Sequence, residues 1–215
     1  MTKIYRFAIA ALFLGTALSF SSCSKDDPEP EVEMEEPDAA VLTFTKLDAS
    51  GKETADKVTV NFELGDHDHD HAHTASATTS EENDHGHSHA HIHLDAKASY
   101  RLTVNMYRDE KVINDEFMQA AHLHQFFYTP KNEAGAIESG FINYTYEDKD
   151  KNNRNIGLKG KFDVLRAGSA DVQVILSHGL DKSKVAQNVW MYPGLASIGG
   201  DTDMDQTFEL HVLAD

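Results

Sequence analysis

Residues 57–64 read KVTVNFEL and residues 101–107 read RLTVNMY. In the first, Val58, Val60, Phe62 and Leu64 alternate with Thr59, Asn61 and Glu63; in the second, Leu102, Val104 and Met106 alternate with Arg101, Thr103 and Asn105. A period of two puts each set on its own face of a strand, so both stretches are expected to be half-buried β-strands lining a core. Further strand candidates are residues 41–47, 122–128, 141–146, 158–164, 172–178 and 207–213, separated by Gly, Asn, Asp or Pro turns. Residues 112–121 lack alternation and predict a short helix or turn. Residues 181–205 predict a long connection holding the only tryptophan, Trp190. Short strands in this number predict an all-β fold, an antiparallel β-sandwich of about seven or eight strands.

Between the two opening strands lies HDHDHAHTASATTSEENDHGHSHAHIH, residues 67–93, with nine of the 13 histidines. His67, His69, His71 and His73 form one alternating tract; His85, His87, His89, His91 and His93 form another, across a small, polar spacer. Neutral imidazole is the commonest protein ligand for zinc and also takes copper and nickel, so zinc is the expected metal and copper and nickel the alternatives. At about four donors per ion, and with Asp66, Asp68, Asp70, Asp84 and Asp95 adding oxygens, the segment has ligands for roughly two or three zinc ions. Its spacer has nothing to bury, so residues 65–95 are expected to be a long disordered metal loop.

At the start of the chain, Lys3 and Arg6 precede the apolar run FAIAALFLGTALSF, residues 7–20, and the small residues Ser21 and Ser22 precede Cys23. The run is too short for a spanning helix and reads as a secretory signal over residues 1–22. Cys23 is the one cysteine, so it has no internal disulfide partner. Its position resembles the lipobox of bacterial lipoproteins, which implies lipidation at Cys23 and anchoring to the membrane without spanning it. Residues 24–27, SKDD, resemble the acidic signal that directs lipoproteins of some Gram-negative bacteria to the outer face of the outer membrane, so an outer-membrane lipid anchor is expected, on the cell-surface or periplasmic face. Residues 23–40 are acidic and Pro-rich, an extended lipidated tether; residues 41–215 form the sandwich domain. Loss of Lys3 and Arg6 with the signal takes the formal charge from -17 to -19, which argues against nucleic acid and favours cations.

Four stretches carry a further resemblance: LHQFF at 123–127, NYTYEDKDKNNRNIGL at 143–158, LSHGLDK at 176–182 and GGDTD at 199–203. Together they resemble a group of poorly characterised bacterial lipoproteins of similar size. The resemblance implies an immunoglobulin-like sandwich, and an acidic loop stands in other members where this chain has its histidines.

Outside the loop, His122 and His124 are two apart and are expected to share a strand face; His178 ends the core side of its strand. With Asp201 or Asp203 they are candidates for a second, better ordered metal site. His211 falls on the polar side of its strand and is set aside. Asp148, Asp150 and Asn152 open like a calcium loop, but Asn153 replaces the required glycine and Lys159 the bidentate glutamate, so a hairpin turn is expected. Metalloprotease, nucleophile-elbow and phosphate-loop motifs are absent, and the chain is not expected to be an enzyme. The expected function is metal acquisition, buffering or delivery, with an outer-membrane metal transporter as the candidate partner. The alternative is a surface module binding glycan or protein through its strands and loops, with the histidines a secondary feature; Trp190 and Tyr192 are the loop aromatics that would serve it.

Overall fold

The computed structural model describes residues 37–64, 75–78 and 90–213. Their strands are β1 (Ala39–Leu47), β2 (Glu53–Glu63), β3 (Ala75–Thr78), β4 (Ala90–Asp95), β5 (Ser99–Arg108), β6 (Lys111–Val112), β7 (His124–Lys131), β8 (Ile142–Tyr146), β9 (Lys159–Val164), β10 (Gly168–His178) and β11 (Asp201–Leu213). Two short helices, α1 (Asn114–Gln119) and α2 (Leu195–Ile198), and 3-10 turns at Ala121–Leu123 and Lys182–Lys184 complete them. The fold is all-β, as expected. One sheet runs β3-β2-β1-β5-β9-β8, with β6 paired to β5; the other runs β4-β11-β10-β7.

The period-two stretches line the space between the sheets. In the first sheet Leu42 pairs with Val60 on one side and Val104 on the other, and Phe44 with Val58 and Leu102. The second sheet answers with Phe126 and Tyr128 from β7, Val172, Val174 and Leu176 from β10, and Phe208, Leu210 and Val212 from β11. Phe44 joins the layers, with its ring centre 5.1 Å from that of Phe162 in its own sheet and 5.7 Å from that of Phe208 in the facing one. β7 is buried on both faces. Its inner face meets the core, and Phe127 on its outer face packs with Ile175, Leu180, Val185 and Ile198, so the 179–200 connection forms a lid over the second sheet.

Three expectations need correction. Residues 65–95 are not one disordered loop: β3 and β4 fall inside them, and residues 65–74 and 79–89 lie outside the described residues. In AHIHLD the buried set Ala90, Ile92 and Leu94 has strand periodicity, which the intervening histidines obscure. The sandwich is also not purely antiparallel, because β4 runs parallel to β11. Finally, the strand expected from residue 122 begins at His124, and β11 begins at Asp201, well before residue 207. The 112–121 expectation holds, with α1 inside it. Residues 1–36, with the expected signal, Cys23 and most of the tether, lie outside the described residues.

Because Phe44 is fully buried between the sheets, Phe44→Ala is expected to lower the unfolding free energy by about 3–5 kcal/mol. Urea denaturation followed by circular dichroism measures this.

Candidate metal centre

His124, His178 and Asp203 meet at the end of the second sheet. Sequence separation hides the meeting; strand register produces it. β10 is paired on both sides: His178 lies opposite His124 of β7 and opposite Asp201 of β11. Leu176 pairs with Met204 and Ser177 with Thr202, so Asp203 is the extra residue of a bulge. A bulge breaks the alternation of faces and re-aims a side chain. Here it turns an otherwise outward carboxylate to the histidine pair. Gly200 makes the approach possible: its φ is +78°, and a Cβ there would lie 2.1 Å from the His178 carbonyl oxygen. Only glycine fits that turn.

The protonation pattern follows from one hydrogen bond. His124 Nδ1 lies 2.9 Å from the carbonyl oxygen of Ala120. A carbonyl only accepts, so Nδ1 carries the hydrogen and Nε2 presents its lone pair to the site. A ring N–H fixed on a carbonyl is the usual outer support of a metal-ligating histidine. His124 is fully buried, with the Phe117 ring 4.4 Å away, centre to centre. His178 Nδ1 lies 2.8 Å from His124 Nε2, and Asp203 Oδ2 is 3.4 Å from each of these nitrogens. Two ligands about 2.05 Å from a tetrahedral zinc lie about 3.3 Å apart. The two carboxylate edges of the triangle already have that length, and the imidazole edge needs to open by about 0.5 Å. His178 Nδ1 donates to His124 Nε2; coordination of an ion through Nδ1 would require that proton on Nε2 of His178, the other ring nitrogen. Three protein ligands leave a fourth position for an exchanging group.

A buried lysine holds the surroundings. Lys182 Nζ donates to the carbonyl oxygens of Ala121 (2.7 Å) and Asn155 (2.8 Å) and to Asp150 Oδ2 (3.1 Å). Ala121 follows the residue whose carbonyl holds His124, so Lys182 ties the lid and the 150–155 turn to the wall of the site. Burial pushes the Lys182 ammonium below its ordinary pKa, against the pull of Asp150. Burial also opposes ionisation of Asp150, but bonds from the Arg154 amide and Lys182 outweigh it and hold the carboxyl below its usual range. Asp150 Oδ1 accepts from the Asn152 and Arg154 amides, and Asp148 accepts from those of Gly157 and Lys159. The calcium-like stretch is therefore a turn, as expected, with its carboxylates spent on the protein.

Of the candidates named from sequence, His124 and His178 come together and His122 does not join them. His122 sits in the 3-10 turn before β7, where the two-residue periodicity of a strand does not apply, and its buried Nδ1 has no hydrogen-bond partner among the described residues. His91 and His93 lie on β4 beside His211. His67, His69, His71, His73, His85, His87 and His89 lie outside the described residues, as does Cys23. Sequence reasoning missed Lys182, and the ordinary signal for it was a lysine inside a run that folds over apolar residues. Comparisons with protein-family models, curated proteins and solved structures return no match.

Replacing Lys182 leaves Asp150 buried without its counter-charge, so Lys182→Met is expected to destabilise by about 3–5 kcal/mol. Exposed Lys184→Met, two residues away, is expected to change stability by less than about 1 kcal/mol. Thermal denaturation of the two variants distinguishes them.

Proposed function

We propose that the protein is a lipid-anchored cell-envelope protein that binds a transition metal, zinc first, for acquisition, buffering or delivery. The observation that carries this proposal is the triangle of His124 Nε2, His178 Nδ1 and Asp203 Oδ2, with the His124 tautomer fixed by Ala120. Two imidazoles and a carboxylate form a donor set that zinc favours, at spacings close to those zinc needs. The histidine tracts supply the second support. They enter the folded sheet at Ala90, which pairs with Phe208, five residues along β11 from Asp203, or about 17 Å at strand rise. A chain of exchanging imidazoles joined to the sheet at that point raises the local supply of metal, and the open fourth position of the centre accepts a ligand that arrives with the ion.

Lipidation at Cys23, an outer-membrane address and handover to an outer-membrane transporter belong to the same proposal. They are supported by the hydropathy and charge pattern of residues 1–40 and by the resemblance to bacterial lipoproteins. The formal charge of -17 suits a protein that attracts cations. The alternative, a surface binding module, drew on Trp190 and Tyr192. Both are half-buried: Trp190 packs against the core, and Tyr192 lies with its ring centre 5.6 Å from that of Phe127. Their packing serves the fold and leaves less of either ring for a partner.

Calorimetric titration of the full chain with zinc tests the proposal. His124→Ala and His178→Ala are each expected to weaken the tightest binding event by about tenfold or more, while weaker binding by the tracts persists. Unchanged tight binding in both variants contradicts it.

A further inference from the structure

A second group of histidines lies at the far end of β11, on the other side of the sheet. β4 is the edge strand, and its parallel register with β11 sets His91 beside Glu209 and His93 beside His211. Ala90, Ile92 and Leu94 on one strand, and Phe208, Leu210 and Val212 on the other, are buried toward the core. Their alternates therefore share the outer face. The ring centres of His91 and His93 are 5.8 Å apart, those of His91 and His211 5.9 Å, and those of His93 and His211 5.3 Å. Three imidazoles on one tetrahedral zinc have their centres about 5 Å apart, so these backbones already hold the rings within about 1 Å of the spacing required.

The carboxylate of Glu209 completes the set. Its Oε1 lies 3.1 Å from His211 Nε2, close to the edge length of a zinc tetrahedron. His211 Nδ1 is 3.1 Å from Ser169 Oγ, a contact that orients the ring from its far nitrogen as an outer partner of a ligand does. The His93 and His211 rings are now stacked, 24° from parallel. To share an ion they must turn about their side-chain torsions, with no change of strand position.

We infer that His91, His93, His211 and Glu209 form a second metal site, specific for a first-row divalent cation such as zinc, whose filling fastens β4 to β11. With four donors the site is closed, unlike the three-ligand centre at His124. It lies eight residues along β11 from Asp203, about 27 Å at strand rise, so the two sites bind independently. Its role is mechanical. A parallel pair is slightly weaker per residue than an antiparallel one, and among the described residues β4 has a strand partner on one side only. A bridging ion adds a bond between the strands at the point where the histidine tract joins the fold. The site also explains why the second tract runs on into a strand: His91 and His93 continue its alternation, while Ala90, Ile92 and Leu94 supply the buried face.

The inference rests on the metal-binding role proposed above, but not on the centre at His124. Hydrogen exchange read by mass spectrometry on the full chain, with and without zinc chloride, tests it beside His211→Ala, His211→Gln and His124→Ala. Zinc at about ten times the dissociation constant of the site is expected to slow exchange over residues 90–95 by about tenfold. Both His211 variants lose that protection and keep tight binding at the first centre; His124→Ala keeps the protection and loses the tight binding. If His211→Ala fails to fold, as judged by circular dichroism, the closer-fitting His211→Gln decides. Zinc uptake without added protection over residues 90–95, or unchanged protection in the folded His211 variants, overturns the inference and leaves the proposed function standing. A chain that takes up no zinc at all overturns both.

Discussion

Everything near the group of His124, His178 and Asp203 depends on the double pairing of β10. A strand bonded on both edges cannot slip on one side without losing its ladder on the other, and a slip by one residue would send Val172, Val174 and Leu176 out of the core. The apolar set therefore fixes the register, and the register places His178 opposite His124. The bulge at Asp203 departs from this regularity at one position. It comes where the ladder ends, so the re-aimed carboxylate costs little pairing and gains two imidazole neighbours at 3.4 Å.

Around that ladder, polar groups that would be costly to bury are used to fix positions. Lys182 satisfies two backbone carbonyls and a carboxylate in one buried place, drawing together the turn before β7, the 150–155 turn and the lid. Such a cation is weak evidence for stability but strong evidence for specification, because few arrangements satisfy all its hydrogen bonds. Arg154 adds a second tie to the lid through the Val185 carbonyl at 2.5 Å, and Asn155 a third through Gln187. The four stretches LHQFF, NYTYEDKDKNNRNIGL, LSHGLDK and GGDTD, far apart in the chain, all contribute to this one neighbourhood: His124; Asp150 and Asn155; His178 and Lys182; Gly200 and Asp203.

The strands were legible wherever one face was buried and the other wet, as in residues 57–64 and 101–107. Alternation fails for β7, which is buried on both faces, and its start was misplaced into the turn that carries His122. It is hidden in β4, where two of the three polar positions, 91 and 93, are histidines that continue the tract before it. His124, His178 and one of two aspartates were legible as a possible group because their strands end on the same pattern. The choice of Asp203 over Asp201 was not, since it depends on a bulge with no local sequence signature. His211 was passed over for a related reason: a lone histidine on an outer face gains meaning only when a parallel partner brings His91 and His93 beside it.

Anomalous diffraction at the zinc absorption edge, from crystals of the protein grown with zinc, shows whether His124, His178 and Asp203 share an ion. A peak is expected about 2.0–2.2 Å from each of His124 Nε2, His178 Nδ1 and Asp203 Oδ2, with the Ala120 bond to His124 retained. Zinc bound elsewhere in the molecule, with the His124 and His178 rings still hydrogen-bonded to each other, would contradict it.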